Sequence, residues 1–157
     1  MIYYIHLTFI IIKIGINGFG RIGRLVLRAI LENYDKKIQV VAVNDLGSIE
    51  ANAHLIKYDS THGILSSNIE TSKDGFKINN QNIKVFAEKN PENIPWKDVG
   101  AEIVLECTGI FLDKPSAEKH IKAGAKKVII SAPGKEVDFT IVQGVNSKDL
   151  RKEHNII

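Results

Sequence analysis

Apolar runs and amphipathic stretches alternate along this chain. Residues 10–16 form a β-branched apolar run that stops at Asn17-Gly18, a pattern that suits a buried strand. Ile22, Leu25, Val26, Ala29 and Ile30 then fall at i, i+3, i+4, i+7 and i+8, the spacing of a helix with one buried face. Arg21, Arg24 and Arg28 fall largely off that face. A second apolar run, residues 38–43, closes at Asn44-Asp45. The three pieces span about 30 residues, the size of a parallel strand–helix–strand crossover.

The alternation continues. Ser48 can cap a helix over residues 49–57, with Glu50 in its first turn. Phe76-Lys77-Ile78, the turn Asn79-Asn80, and Ile83-Lys84-Val85-Phe86 read as a polar hairpin. Residues 101–105 form another strand. A helix over residues 114–123 has Pro115 in its first turn and Gly124 just past its end. Residues 127–130 form a strand stopping at Ser131-Ala132-Pro133-Gly134, and residues 139–142 a late one. Strands alternating with helices predict an α/β fold: a doubly wound, mostly parallel sheet.

Composition narrows the class. At 157 residues, 44% hydrophobic and 25% charged, the chain has the length and usage of one globular domain. The net charge of +3 comes with 18 interspersed acids, and the pairs Lys36-Lys37 and Lys126-Lys127 each precede an apolar run. That dispersion argues against a nucleic-acid stripe. One cysteine cannot form an internal disulfide, which fits a reducing compartment. The N-terminal stretch carries His6, Thr8 and Lys13 and lacks a basic n-region and a small-residue cleavage site, so it is a poor signal peptide. Gly15 and Asn17 interrupt it before the roughly 20 apolar residues that a spanning helix needs. The expected organisation is an extension over residues 1–9 and one domain over residues 10–157, with no membrane segment.

The loop between the first strand and helix reads Gly18-Phe19-Gly20-Arg21-Ile22-Gly23. This is G-x-G-x-x-G, a weak signal alone. Here it follows a strand, opens a helix, and has an acid, Asp45, at the end of the next strand, about 20 residues on. Each part has a task. Gly18 permits the tight turn, Gly20 lets backbone approach a pyrophosphate, and Gly23 lets the helix pack close to the sheet. The helix N-terminus offers unpaired N–H groups to phosphate, with the charge of Arg21 nearby. Asp45 can accept from a ribose hydroxyl and would repel a 2′-phosphate. Residues 46–50 offer no Arg or Lys to offset that repulsion, so NAD is favoured over NADP.

Ligands of open α/β sheets bind beyond the carboxyl ends of strands. Three such ends carry small polar residues: Asn44-Asp45, Thr108-Gly109 and Ser131. Thr108, Gly109 and Ser131 are therefore candidates for a cofactor wall. Cys107 precedes Thr108, and no histidine stands in an evident sequence relation to it. It reads as a buried filler rather than a nucleophile, and no residue of the chain is a catalytic candidate. The histidines at 6, 54, 62, 120 and 154 form no metal-ligand pattern. Asp59-Ser60-Thr61-His62-Gly63 is not a nucleophile elbow and reads as a polar loop.

Taken together, "KIGINGFGRIGR", "VNDL", "HLIKYDSTHG", "IPW", "ECTGIF", "GAKKVIISAP" and "GVN" resemble the glyceraldehyde-3-phosphate dehydrogenase family, in its order and spacing, from about Lys13 to the end. The resemblance implies a Rossmann-like NAD-binding domain with cofactor contacts at Arg21, Ile22, Asp45, Lys89, Thr108 and Ser131. Lys89 is added by the resemblance alone. The resemblance also makes "YDSTHG" a structural segment near subunit contacts. It further implies a cytoplasmic, usually homotetrameric glycolytic enzyme. In that enzyme a cysteine thiolate and a histidine carry an aldehyde through a thioester to an acyl phosphate, with hydride passing to NAD. The family's nucleophile sits in a Ser-Cys-Thr-Thr-Asn stretch that follows the point matching "EHNII". The expectation is that this chain binds NAD and does not turn over, the catalytic domain being absent from it. Two further readings are a stand-alone NAD-binding module and the relative acting on erythrose 4-phosphate. "VNDL" and "ISAP" lean against the latter, which tends to show Glu in place of Asp45 and His in place of Ala132.

Overall fold

The computed structural model of the protein describes residues 11–157. The expected extension over residues 1–9 and the start of the first strand at Ile10 lie outside the described residues.

The predicted crossover forms. Strand β1 (Ile12–Asn17) leads through the glycine loop into helix α1 (Arg21–Asn33) and on to β2 (Ile38–Asn44). Helix α2 (Ile49–Lys57) is capped by Ser48, whose side chain accepts from the Ala51 N–H at 3.1 Å. Two short strands follow, β3 (Tyr58–Asp59) and β4 (Gly63–Ile64), then β5 (Ile69–Ser72), β6 (Gly75–Ile78) and β7 (Gln81–Phe86). The chain continues with β8 (Ile103–Glu106), helix α3 (Lys114–Lys122) and β9 (Lys127–Ile130).

The main sheet has seven strands in the order β5-β6-β7-β2-β1-β8-β9. The neighbours from β7 to β9 pair in parallel, and β5 and β6 add an antiparallel edge. The first strand lies in the middle of the five parallel strands, with chain crossing to both sides of it. This is the doubly wound, mostly parallel arrangement that the alternating pattern predicts.

Two layers of core form on the sheet. On one face Ile14, Ile16, Val40 and Val43 pack with Leu27 and Ile30 of α1, Ile56 of α2, and Phe76. Full burial of one such side chain stabilises by roughly 1.5–3 kcal/mol. On the other, Trp96 packs with Ala42, Ala101, Val104 and Ala125. A Cβ on Gly15 would collide with the Trp96 ring, so a residue without a side chain at the centre of β1 seats the indole. A third cluster joins Ala117 of α3 to Val128, Ile130 and Ile156.

Two expectations need correction. No strand forms over residues 139–142. The Asn146 side chain occupies the backbone there, its Oδ1 accepting from the Val142 N–H at 2.7 Å and its Nδ2 donating to the Thr140 carbonyl at 2.9 Å. Arg28 does not fall off the helix face but is buried. Its guanidinium donates to the carbonyls of Ile56, His62 and Gly63 at 3.1–3.3 Å. It thus folds the Asp59–Gly63 segment, expected as a polar loop, into the β3–β4 hairpin.

Candidate functional site: a cavity at the strand ends

Three adjacent strands end on a polar residue at the same level. Asn17 of β1 pairs in register with Asn44 of β2 on one side and Glu106 of β8 on the other. All three are buried, and their side chains join. Asn44 Nδ2 donates to Asn17 Oδ1 at 2.8 Å, and Asn17 Nδ2 donates to Glu106 Oε2 at 2.6 Å. Buried polar groups persist when they are paired in this way. Beyond these ends lies a cavity of about 560 Å³, whose lining includes Gly18, Gly20, Asp45, Lys89, Thr108 and Ile110. That is the volume and place expected of a ligand site in an open α/β sheet.

The glycine loop is held from both sides. Phe19 is fully buried and stacks on Phe76 with ring centroids 5.9 Å apart. Its backbone N–H donates to Asp45 Oδ2 at 2.9 Å. Gly18 has φ +86°, and a Cβ there would lie 2.6 Å from the Thr108 nitrogen. Only glycine suits that turn. A Cβ on Gly23 would strike the Gly18 carbonyl oxygen, so this glycine sets how closely α1 approaches the loop. At Gly20 nothing lies within 4 Å of an added Cβ, and this open space belongs to the cavity. Gly20 caps α1 without a side-chain hydrogen bond, and the first turn carries no acid. The helix therefore presents its N–H groups and positive end uncapped, as a phosphate-binding terminus does. These features fit a dinucleotide, with space at Gly20 for a pyrophosphate and a carboxylate at Asp45 for a ribose.

Asp45 also organises its own loop. Its Oδ1 accepts from the Gly47 N–H at 2.8 Å and from Asn52 Nδ2 at 3.4 Å. Among the described residues it has no Lys or Arg partner. Lys89 is placed by its neighbour: Asn44 clamps the backbone of Glu88, donating to its carbonyl at 2.9 Å and accepting its N–H at 2.8 Å.

The remaining candidates are placed otherwise. Arg21 points away to Asp59, at 3.1 Å. That carboxyl is held well below the usual range by the His62 and Thr61 backbone N–H groups, with Arg21 adding to them. Ile22 is exposed at the start of α1. Gly109, at φ +72°, lies between the lining residues Thr108 and Ile110. Ser131 lines a second cavity with Ala132, Pro133 and Val142. Cys107 lines the first cavity beside Thr108. Burial pushes its thiol up and the Glu106 charge adds to that, while a hydrogen bond with Ser131 opposes it.

Asn44 stood at a strand end singled out in the sequence, but the network that joins it to Asn17, Glu106 and His120 was not expected. The signal was present: each of the first three ends a strand, and strands in register bring their ends together. His120 gave none, being 14 residues from Glu106 and 24 from Trp96, its two close partners.

The family described as "Glyceraldehyde 3-phosphate dehydrogenase, NAD binding domain" matches residues 12–114. The glyceraldehyde-3-phosphate dehydrogenase of Pseudomonas aeruginosa is 50% identical over 147 residues, covering 93% of this chain and 44% of that protein. That of Thermotoga maritima is 49% identical over 145 residues, 92% of this chain and 44% of the relative. That of Clostridium acetobutylicum is 52% identical over 145 residues, 92% and 43% respectively. The chain thus spans less than half the length of these relatives.

Proposed function

The chain belongs to the glyceraldehyde-3-phosphate dehydrogenase family, as its NAD-binding domain, and we propose that NAD lies in the cavity beyond β1, β2 and β8. One observation carries this reading. The uncapped N-terminus of α1, the open space at Gly20 and the carboxylate of Asp45 face one cavity. NAD, when bound, supplies a hydride acceptor. The protein's part is to hold it: α1 receives the pyrophosphate over Gly18 and Gly20, with Arg21, Ile22 and Gly23 forming the turn beneath. Asp45 accepts from a ribose hydroxyl and disfavours a 2′-phosphate. Lys89, Thr108 and Gly109 form the facing wall, and Ser131 stands behind Cys107. One domain over residues 10–157 carries all of these residues, with residues 1–9 as an extension.

For the whole protein we infer the activity that the relatives' names state, in glycolysis and in the cytoplasm. Aldehyde would be oxidised through a thioester to an acyl phosphate, in a homotetramer with "YDSTHG" near subunit contacts. Among the described residues no helix is long and apolar enough to cross a membrane. By itself this chain is proposed to bind NAD without turning over, its one cysteine not matching the nucleophile that the resemblance implies. Asp45 and Ala132 favour this substrate class over erythrose 4-phosphate, and a stand-alone NAD-binding module is the second reading. Calorimetric titration with NAD tests the shared claim: binding supports it, and a folded chain that does not bind contradicts it.

A further inference from the structure

We propose that Glu106 and His120, both buried behind the cavity, are positioning residues that hold Thr108 and the turn to Ile110 in the wall of the dinucleotide site. The inference rests on the reading of that cavity as the NAD site.

A buried histidine 2.9 Å from a buried glutamate suggests an ion pair at first sight. Trp96 points to a different state. Its indole N–H, a donor only, meets His120 Nδ1 at 3.0 Å, so Nδ1 is the acceptor and the ring's single proton sits on Nε2. His120 is then neutral and donates to Glu106 Oε2. Asn17 Nδ2 donates to the same oxygen at 2.6 Å. On the other oxygen, Oε1, converge the Thr108 N–H at 2.7 Å and the Thr108 hydroxyl. Four donors around one carboxyl suit an acceptor-only carboxylate, and none of them brings a positive charge.

A buried carboxylate without a cation is costly, and an apolar side chain would serve packing better. What this one does is visible at its Oε1. It fixes both the backbone and the hydroxyl of Thr108. Because the hydroxyl proton goes to Glu106, the Thr108 oxygen is an acceptor, and it takes the Ile110 N–H at 3.0 Å. Thr108 and Ile110 both line the cavity. Toward a ligand the Thr108 oxygen can therefore only accept, which suits a hydroxyl or amide N–H. Trp96 and His120 fix the far side of the same carboxylate, so the wall is set from a point no ligand touches.

A double-mutant cycle on the 157-residue chain, read by NAD calorimetry, tests this. His120→Leu is expected to weaken NAD binding about tenfold. His120→Gln, whose amide N–H can replace the Nε2 donor, is expected to return affinity to within about threefold of the unsubstituted chain. In a Thr108→Ala background, His120→Leu should change affinity by less than about twofold, because the group it acts through is gone. If circular dichroism shows His120→Leu unfolded, Trp96→Phe replaces it, keeping an aromatic ring in the core and removing the indole N–H. Its loss of about threefold should also vanish with Thr108→Ala. Equal losses in both backgrounds, no rescue by a folded His120→Gln, or unchanged affinity in a folded single variant would overturn the relay. No NAD binding by the folded, unsubstituted chain would overturn the cavity reading and the relay together.

Discussion

The carboxylate of Asp45 at the end of β2 accepts the backbone N–H of Phe19 at 2.9 Å, tying the second strand end to the middle of the glycine loop. The acid expected to hold a ribose therefore also shapes the loop expected to hold the phosphates. Asp45→Ala should weaken NAD binding by about 1–3 kcal/mol, partly through the loop. Unchanged affinity by calorimetry would remove Asp45 from the site.

Two glycines of the loop should separate stability from binding. Gly18→Ala forces a side chain into φ +86° and against the Thr108 backbone, so it should destabilise the fold by about 2 kcal/mol or more. Gly20→Ala meets no protein atom within 4 Å and should leave stability within about 1 kcal/mol. It should nevertheless weaken NAD, because the new methyl enters the cavity. Denaturant melts paired with NAD titrations check both. A Gly20→Ala chain that binds normally would contradict a phosphate at that point.

Much of this architecture was legible in the sequence, because strands β1, β2, β8 and β9 and helices α1 to α3 are specified locally. Each is an apolar run or periodic face bounded by its own cap or turn. What escaped depends on groups far apart in the chain. The β3–β4 hairpin is held by Arg28 of α1, 28–35 residues from the carbonyls it meets. The expected strand over residues 139–142 gave way to one side chain, Asn146. The glycine loop, Asp45 and Thr108 stood out because their residue types and positions after strands carry the signal. The Glu106–His120 contact became visible only when β8 and α3 were placed side by side.

Cys107 should react as a poor nucleophile. Thiolate is the reactive form, and burial raises the pKa of this thiol. At any pH below that raised value the thiolate fraction is smaller than for an ordinary cysteine. Iodoacetamide should label folded protein more slowly than free cysteine at pH 8. Chain mixed with glyceraldehyde 3-phosphate, NAD and phosphate should form no NADH. Fast labelling, or NADH formation lost in Cys107→Ser, would overturn this assignment.

Asp138 should contribute to acid stability. Its carboxylate accepts from Lys114 and from the Ile156 and Asn155 N–H groups, and Lys114 first among them lowers its pKa to about 2. A carboxyl depressed on folding contributes stability that is complete above its unfolded pKa, near 3.8, and is lost as pH falls through the folded value. Thermal melts between pH 5 and 2 should therefore fall less steeply for Asp138→Asn than for the unsubstituted chain. Parallel curves would contradict that contribution.

The most direct measurement is calorimetric titration of the 157-residue chain with NAD and, separately, with NADP. Saturable binding of one NAD per chain is expected, with NADP clearly weaker because Asp45 would repel a 2′-phosphate and has no Lys or Arg partner among the described residues. A folded chain that takes up no NAD, or binds NADP as tightly, would contradict the site described here.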